Sequence, residues 1–315
     1  MPAFSATAPG KVILFGEHAV VYGRPAIAVP VLQVRARAIV SMDPRAPTGT
    51  VWLQAPDIGL EANLKDLPEN HPLAAVIHLA AEALEVVRLP ACTIKATSTI
   101  PIAGGMGSGA AVSVAILRAF SAALGHPFTD EHVSQIAYQV ELIHHGTPSG
   151  IDNTVITYAR PVYYVKDKPI EMLEVNQPFS LVIGDTGIHS PTVKAVGDLR
   201  LAREGNQQLY EGLFDTVEKI TTTAREAIET GKTETLGALM NENHKLLLQM
   251  EVSSPELDQL VAAARSAGAL GAKLSGAGRG GSMIALVTPE TSNHVVQALE
   301  SAGAVHTITT EIHKT

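Results

Sequence analysis

Apolar and polar positions change period along this chain, from the alternations of strands to the three- and four-residue spacings of helices. Residues 3 to 16 begin with polar Ser5 and Thr7 and reach Val12-Ile13-Leu14-Phe15, which predicts a buried strand. Pro25 to Val31 and Gln33 to Ser41 predict two more strands, Pro44 to Gly49 a turn, and Val51-Trp52-Leu53 a returning strand. Residues 73 to 87 turn helical, Ala91 to Ile100 alternates, and Ala110 to Leu124 predicts a helix rich in Ala, Val and Leu. Another helix is expected from Thr129 to about His144, with Thr129 as N-cap and Asp130 and Glu131 in its first turn. Asn153 to Tyr158 and Pro161 to Val165 predict a pair of strands.

From Ser180 the pattern changes. A short buried strand at Leu181-Val182-Ile183 precedes three helices, at 192 to 204, 208 to 230 and 233 to 249. Ser254 and Pro255 start a fourth, with Gly268 at its end. Leu270 to Leu274 and Ser282 to Val287 read as strands, Pro289 to Ala302 as a helix, and Val305 to His313 as an alternating last strand. The interleaving does not form simple parallel βαβ units, so the fold class is α+β. A boundary near residues 166 to 180 divides it into 1–172 and 173–315.

Val133, Ile136, Ala137 and Val140 form the apolar stripe of the 129–144 helix, and Glu141 and His144 continue it. An inward carboxylate requires a cation, a metal or a proton; the other reading is that the helix frays and Glu141 reaches water.

Composition narrows the class. The chain has 315 residues, a net charge of −8 and one cysteine, Cys92. The acidic balance argues against nucleic acid as a partner, although one nucleotide held by backbone and magnesium remains compatible. A single cysteine excludes an internal disulfide, and its strand-like setting predicts a buried, inert thiol. Neither a signal peptide nor a membrane-spanning apolar run is evident, which predicts a soluble cytoplasmic protein without a membrane partner.

The densest chemistry lies at 101 to 113, where Gly104, Gly105, Gly107 and Gly109 precede a predicted helix. Glycines let backbone N–H groups turn inward and the helix N-terminus adds partial positive charge, so the loop predicts a phosphate site, with a tight turn that holds no ligand as the other reading. The Walker pattern is absent. Gly105, Gly107 and Ala110 fit G-x-G-x-x-[GA], but the second strand that a dinucleotide fold requires does not follow. Lys273 to Ser282 holds a second glycine-rich loop, followed by a strand and open to reading as a turn. Asp152, after Gly150, is a candidate proton acceptor or a plain turn residue; Lys11 is a candidate to hold it ionised. His18, His144 and His145 lack metal spacing, and the 144–145 pair reads as structural.

Three segments in fixed order, Ala8 to Gly23, the loop at 101 to 113 and Lys273 to Ser282, resemble the GHMP kinases. Within that superfamily, Gly16-Glu-His-Ala-Val-Val-Tyr-Gly23, His145-Gly-Thr-Pro-Ser-Gly-Ile-Asp-Asn153, Asp185 to Thr192 and Asn241-Glu-Asn-His244 are similar to the mevalonate kinases. The resemblance implies a ribosomal-protein-S5-like N-terminal domain and a ferredoxin-like C-terminal domain. It implies ATP-dependent phosphorylation of the C5 hydroxyl of (R)-mevalonate, in isoprenoid biosynthesis. By position, Asp152 matches the catalytic base and Lys11 the lysine beside it. Pro101, Gly104, Gly105, Met106, Gly107, Ser108, Gly109 and Ala110 match the ATP-phosphate loop. Glu17, His18, Thr192, Gly276 and Ala277 match segments of the mevalonate pocket, and Glu141 a magnesium ligand. A homodimer is expected by resemblance.

Two departures stand out. The family loop carries a second serine as a Mg²⁺ ligand where this chain has Gly109, which leaves Ser108, water or Glu141 to hold the ion. Arg279 interrupts the third motif and is expected to point to solvent, with a reach to phosphate as the other reading. The alternatives in function are a sister kinase of phosphomevalonate, homoserine or the mevalonate 3-hydroxyl, and a ligand sensor without catalysis.

Overall fold

Strands β1 (Ala3–Phe15) and β2 (Ala26–Met42) are the long framework of the opening block and pair with each other. The structure is a computed structural model and describes residues 3–102, 104–145, 148–189 and 192–314, without the side chains of 144 and 145. The two strands predicted at 25–31 and 33–41 are one: β2 runs on through Leu32. By contacts the chain divides into two units. One comprises Met1–Gly10, Val34–Ile100 and Gly107–Ala159; the other comprises Lys11–Gln33, Pro101–Met106 and Arg160–Thr315.

In the first unit, β3 (Val51–Ala55), β4 (Leu60–Asn63), β5 (Cys92–Ser98) and the later part of β2 form a sheet in the order β4-β3-β5-β2. β3 and β5 are parallel, and β2 pairs with β5 antiparallel, Ala36 opposite Ser98 and Met42 opposite Cys92. Helices α1 (Pro72–Ala83), α2 (Ser108–Ala123), α3 (Asp130–His145) and α4 (Ile151–Tyr158) pack together, with α2 against β5. α2 is central, so it is apolar nearly all round: Ala111, Val114, Ala115, Leu117 and Phe120 are buried. Arg118, on that helix, ties α3 and α4 by donating to Asp130 Oδ1 and to the Thr157 carbonyl, at 2.7 and 2.6 Å.

Residues 153 to 158 are helical, not the expected strand. The run Ile151-Asp-Asn-Thr-Val-Ile-Thr is β-branched and locally favours a strand. Gly150, left-handed at φ 87°, caps it, and Ile151, Val155 and Ile156 bury one helical face, so packing overrides propensity. Gly146 and Thr147, expected after α3, lie outside the described residues.

In the second unit, the early part of β2 pairs with β6 (Val162–Tyr164), which pairs with β7 (Glu171–Met172). A four-stranded antiparallel sheet follows from β8 (Phe179–Asp185), β9 (Gly271–Ser275), β10 (Ser282–Val287) and β11 (His306–Ile312), in the order β11-β8-β10-β9. β10 thus lies between β8 and β9, the split arrangement of a ferredoxin-like β-α-β-β-α-β fold. Helices α5 (Thr192–Gly205), α6 (Gln207–Thr230), α7 (Leu236–Gln249) and α8 (Pro255–Ser266) fill the first crossover and α9 (Pro289–Ser301) the second. Ser254 caps α8 by accepting from Leu257 N, as its Ser-Pro start predicts. Among the described residues, no helix is long and apolar enough to cross a membrane.

Candidate active site

The second unit gathers the chemistry of the opening and third motifs. β1 ends at Phe15, and Gly16 turns the chain at φ 95°, where an added Cβ would lie 2.4 Å from the Pro25 carbonyl oxygen. Only glycine fits, and the turn delivers Glu17 and His18 into the interior, 1% and 6% exposed. His18 holds φ 61°, a strained value for a non-glycine residue and one found preferentially at functional sites. Its Nε2 donates to the Ala277 carbonyl at 3.0 Å, since a carbonyl only accepts. Burial pushes the imidazole down to about 4, against the pull of that hydrogen bond.

Glu17 Oε1 accepts from the ammonium of Lys273 on β9, and both side chains are fully buried. Burial works against both charges, raising the carboxyl and lowering the ammonium, while their attraction opposes it. Lys11 on β1 adds a second cationic influence on Glu17. Lys11 is itself buried at 3% exposure, and its backbone N–H donates to Met106 O at 3.0 Å. Ser275 bonds Ile13 N and O at 2.9 and 3.0 Å, and Ser282 Oγ donates to Gly104 O at 2.7 Å. Pro101, Gly104, Gly105 and Met106 thus share a unit with Lys11, Glu17, His18, Gly276 and Ala277.

The loop after β9 is anchored on several sides. Gly278 sits where a Cβ would lie 1.8 Å from the Val252 carbonyl oxygen. Gly281 N donates to Ile188 O, and Thr186 N and Oγ1 donate to Gly281 O. Arg279 does not point to solvent as expected. Its guanidinium donates to Asp198 on α5, from a left-handed backbone at φ 57°. Thr192, expected in the substrate pocket, opens α5 and is exposed; Ser190 and Pro191 before it lie outside the described residues. On α7, Asn241 Oδ1 accepts from Ala272 N at 3.1 Å and His244 Nδ1 from Leu274 N at 3.4 Å. The Asn241–His244 segment therefore braces β9 around Lys273.

The first unit holds the other set. Gly107, left-handed at φ 72°, is the N-cap of α2, so Ser108, Gly109 and Ala110 form the helix's opening turn. Amide groups there lack intrahelical partners, the arrangement that receives phosphate. Ala103 lies outside the described residues. Asp152 is half-buried in the first turn of α4. Its neighbour Asn153 donates to Ser134 O and Oγ at 3.1 and 2.9 Å, fixing α4 on α3. Glu141 is half-buried, whereas Val133, Ile136, Ala137 and Val140 of its stripe are buried. The expectation for His144 and His145 falls on side chains outside those described.

Among the described residues, no group of three or more His, Cys, Asp or Glu forms a metal cluster. Mg²⁺ does not demand one, since it keeps several waters and takes one or two carboxylates together with substrate phosphates. Glu141 and Ser108 supply oxygen donors of that hard kind; Ser108 Oγ makes a long 3.5 Å contact to Ser98 Oγ. Their donor chemistry suits the ion. Cys92 is buried and its thiol is pushed up to about 11 by burial, in keeping with the expected inertness.

Sequence reasoning missed the Lys273–Glu17 pairing and the Arg279–Asp198 pairing. Lys273 stood in a motif, but nothing local marked its partner 256 positions away.

The comparisons agree with this architecture. Residues 70–160 match the GHMP kinases N terminal domain and residues 224–305 the GHMP kinases C terminal domain. The mevalonate kinase of Thermococcus gammatolerans is 38% identical over 98% of this chain and 96% of its own length. That of Pyrococcus horikoshii is 37% identical over 96% of this chain and 94% of its own. The L. major mevalonate kinase in complex with R-mevalonate superposes with a TM-score of 0.85 at 31% identity, covering 99% of this chain and 96% of that one. Streptococcus pneumoniae phosphomevalonate kinase, at 18% identity and a TM-score of 0.82 over 98% of this chain and 100% of that one, shares the fold.

Proposed function

We propose a residue-level mechanism from the premise that the chain belongs to the mevalonate kinases, a family of the GHMP kinases. The enzyme transfers the terminal phosphoryl group of ATP to the C5 hydroxyl of (R)-mevalonate, giving 5-phosphomevalonate and ADP. The observation that carries this activity is the 38% identity to a mevalonate kinase over nearly the whole of both chains.

In our reading, Asp152 takes the proton of the C5 hydroxyl as its oxygen attacks the terminal phosphorus. The bond from that phosphorus to the bridging oxygen breaks, and ADP leaves. Lys11 offsets negative charge on the acceptor side. The loop from Pro101 through Gly104, Gly105, Met106, Gly107, Ser108, Gly109 and Ala110 holds the triphosphate, through backbone amides and the α2 N-terminus. Glu17 and His18 with Thr192, Gly276 and Ala277 hold mevalonate. Glu141 and Ser108 would hold Mg²⁺, which would supply neutralisation of phosphate charge. Such chemistry asks mainly for positioning and charge neutralisation. We place the enzyme in the cytoplasm as a homodimer, with domains 1–172 and 173–315; light scattering at working concentration checks the dimer.

The test is an ADP-release assay across (R)-mevalonate, phosphomevalonate and homoserine, with ³¹P NMR of the product. A C5 phosphate ester formed from mevalonate alone is expected. Turnover of another acceptor in preference, or a 3-phosphate ester, overturns the reading.

A further inference from the structure

Lys273 is 0% exposed on β9, and its ammonium donates to Glu17 Oε1 and to Leu274 O, the latter at 2.7 Å. Glu17 is equally enclosed, yet its second oxygen, Oε2, is buried with no hydrogen-bond partner among the described residues. A buried carboxylate oxygen without a donor forfeits its hydration and gains nothing in return. A purely structural ion pair offers no reason for that cost, because such pairs persist when the remaining lone pairs are satisfied. The ring donor next in sequence is committed elsewhere, since His18 gives its Nε2 proton to Ala277 O. The backbone on either side of Glu17 is fixed by Gly16 at φ 95° and His18 at φ 61°. The side chain shown bonded to the carboxylate is that of Lys273, beside a hydrogen bond from the Glu17 backbone and the charge of Lys11.

We propose that Lys273 is a positioning residue for the acceptor: it engages Glu17 Oε1 so that Oε2 accepts a hydrogen bond from a hydroxyl of bound mevalonate. The inference rests on the kinase reading and on Glu17 lining the acceptor pocket. An ionised carboxylate only accepts, so the partner it selects is a donor, and a hydroxyl is what mevalonate brings besides its own carboxylate. The charged groups around this pair come from several elements. Lys11 of β1 acts on Glu17, Arg279 acts on the adjacent His18, and His244 of α7 faces Lys273. Of these, Lys273 alone is shown bonded to the Glu17 carboxylate.

The experiment uses the full-length enzyme, ATP and (R)-mevalonate, with both KM values measured across pH. A wild type without ADP release overturns the kinase reading itself; an active wild type isolates the role of Lys273. Lys273→Gln should raise the mevalonate KM by about tenfold or more, the size of one lost charge-assisted hydrogen bond, and leave the ATP KM within about twofold. It should also add an acid limb to kcat/KM for mevalonate, because Glu17 without its cation takes up a proton more readily. That limb should vanish in Glu17→Gln/Lys273→Gln, and Lys273→Arg should restore the wild-type profile. In the Glu17→Gln background, Lys273→Gln should change the mevalonate KM no further. An unchanged KM and pH profile in folded Lys273→Gln, or additive losses in the double variant, overturns the proposal. If circular dichroism shows Lys273→Gln unfolded, Glu17→Gln decides: it should show the same mevalonate-specific KM rise, and a wild-type KM there also overturns the proposal.

Discussion

The guanidinium of Arg279 donates to the carboxylate of Asp198, tying the glycine-rich loop after β9 to helix α5, while Arg279 itself sits at φ 57°. The pair and the backbone act in opposite directions. With side chains 30% and 41% exposed, the ion pair contributes about 0–1 kcal/mol. A left-handed backbone costs a non-glycine residue about 1–2 kcal/mol, a strain that glycine escapes. Arg279→Gly should therefore leave stability within about 1 kcal/mol of the parent. Arg279→Ala loses the pair and keeps the strain, so it should be the less stable of the two. Urea unfolding of both variants, with matched m-values, checks the order; equal midpoints would sink the strain argument.

Two other glycines should respond oppositely to a side chain. A Cβ on Gly109 meets nothing within 4 Å, so Gly109→Ser should fold normally and firm up the first turn of α2 by up to about 0.5 kcal/mol. It also restores the hydroxyl that the family resemblance expects beside Ser108. A Mg²⁺ titration at fixed ATP should then reach half-maximal rate at a lower concentration than in the parent. Gly278→Ala is the contrast. It combines φ 76° with a Cβ 1.8 Å from the Val252 carbonyl oxygen, and should lose at least about 1–3 kcal/mol. A Gly278→Ala protein with the parent's urea midpoint would contradict this packing.

Local signals were legible in the sequence, and distant partners were not. Ser254-Pro255 announced α8 because cap chemistry acts within four residues. Gly104, Gly105 and Gly107 ahead of α2, with Gly109 in its first turn, announced a helix start for the same reason. The strand assigned to 153–158 failed because β-branched residues set a weak preference that burial of Ile151, Val155 and Ile156 reverses. β2 looked broken between Val31 and Gln33, yet the strand runs on from Ala26 to Met42. Glu17 could be picked out from its motif, but its pairing with Lys273 depends on β1 and β9 meeting in three dimensions. Arg279 was misjudged similarly, since Asp198 carries no mark of its partner.

In the proposed mechanism Asp152 serves the proton step and Glu141 the metal step. If Asp152 takes the hydroxyl proton, Asp152→Asn should lower turnover by roughly 10²–10⁴ with both substrates saturating. Asn keeps the side-chain shape, so the variant should remain folded. Glu141→Gln should instead raise the Mg²⁺ concentration needed for half-maximal rate. A fast Asp152→Asn enzyme, or an unchanged Mg²⁺ titration for Glu141→Gln, removes that residue from its role.

The buried histidines predict how stability depends on acid. His18 and His244 are 6% and 3% exposed, and burial leads the causes that lower each to about 4 from 6.5. Between those values the unfolded chain binds a proton that the fold refuses, so unfolding takes up protons and stability rises with pH. The contribution is fully present above pH 6.5 and is lost as pH falls towards about 4. His244 Nδ1 accepts from Leu274 N and its Nε2 faces Asp258, a pattern that a glutamine side chain can imitate. Going from pH 7 to pH 5, His244→Gln should therefore lose about 2 kcal/mol less stability than the parent. Urea unfolding at the two pH values measures the difference directly. Equal acid losses in the two proteins would mean that the folded state accommodates the His244 proton, with Asp258 compensating for burial more fully than the geometry indicates.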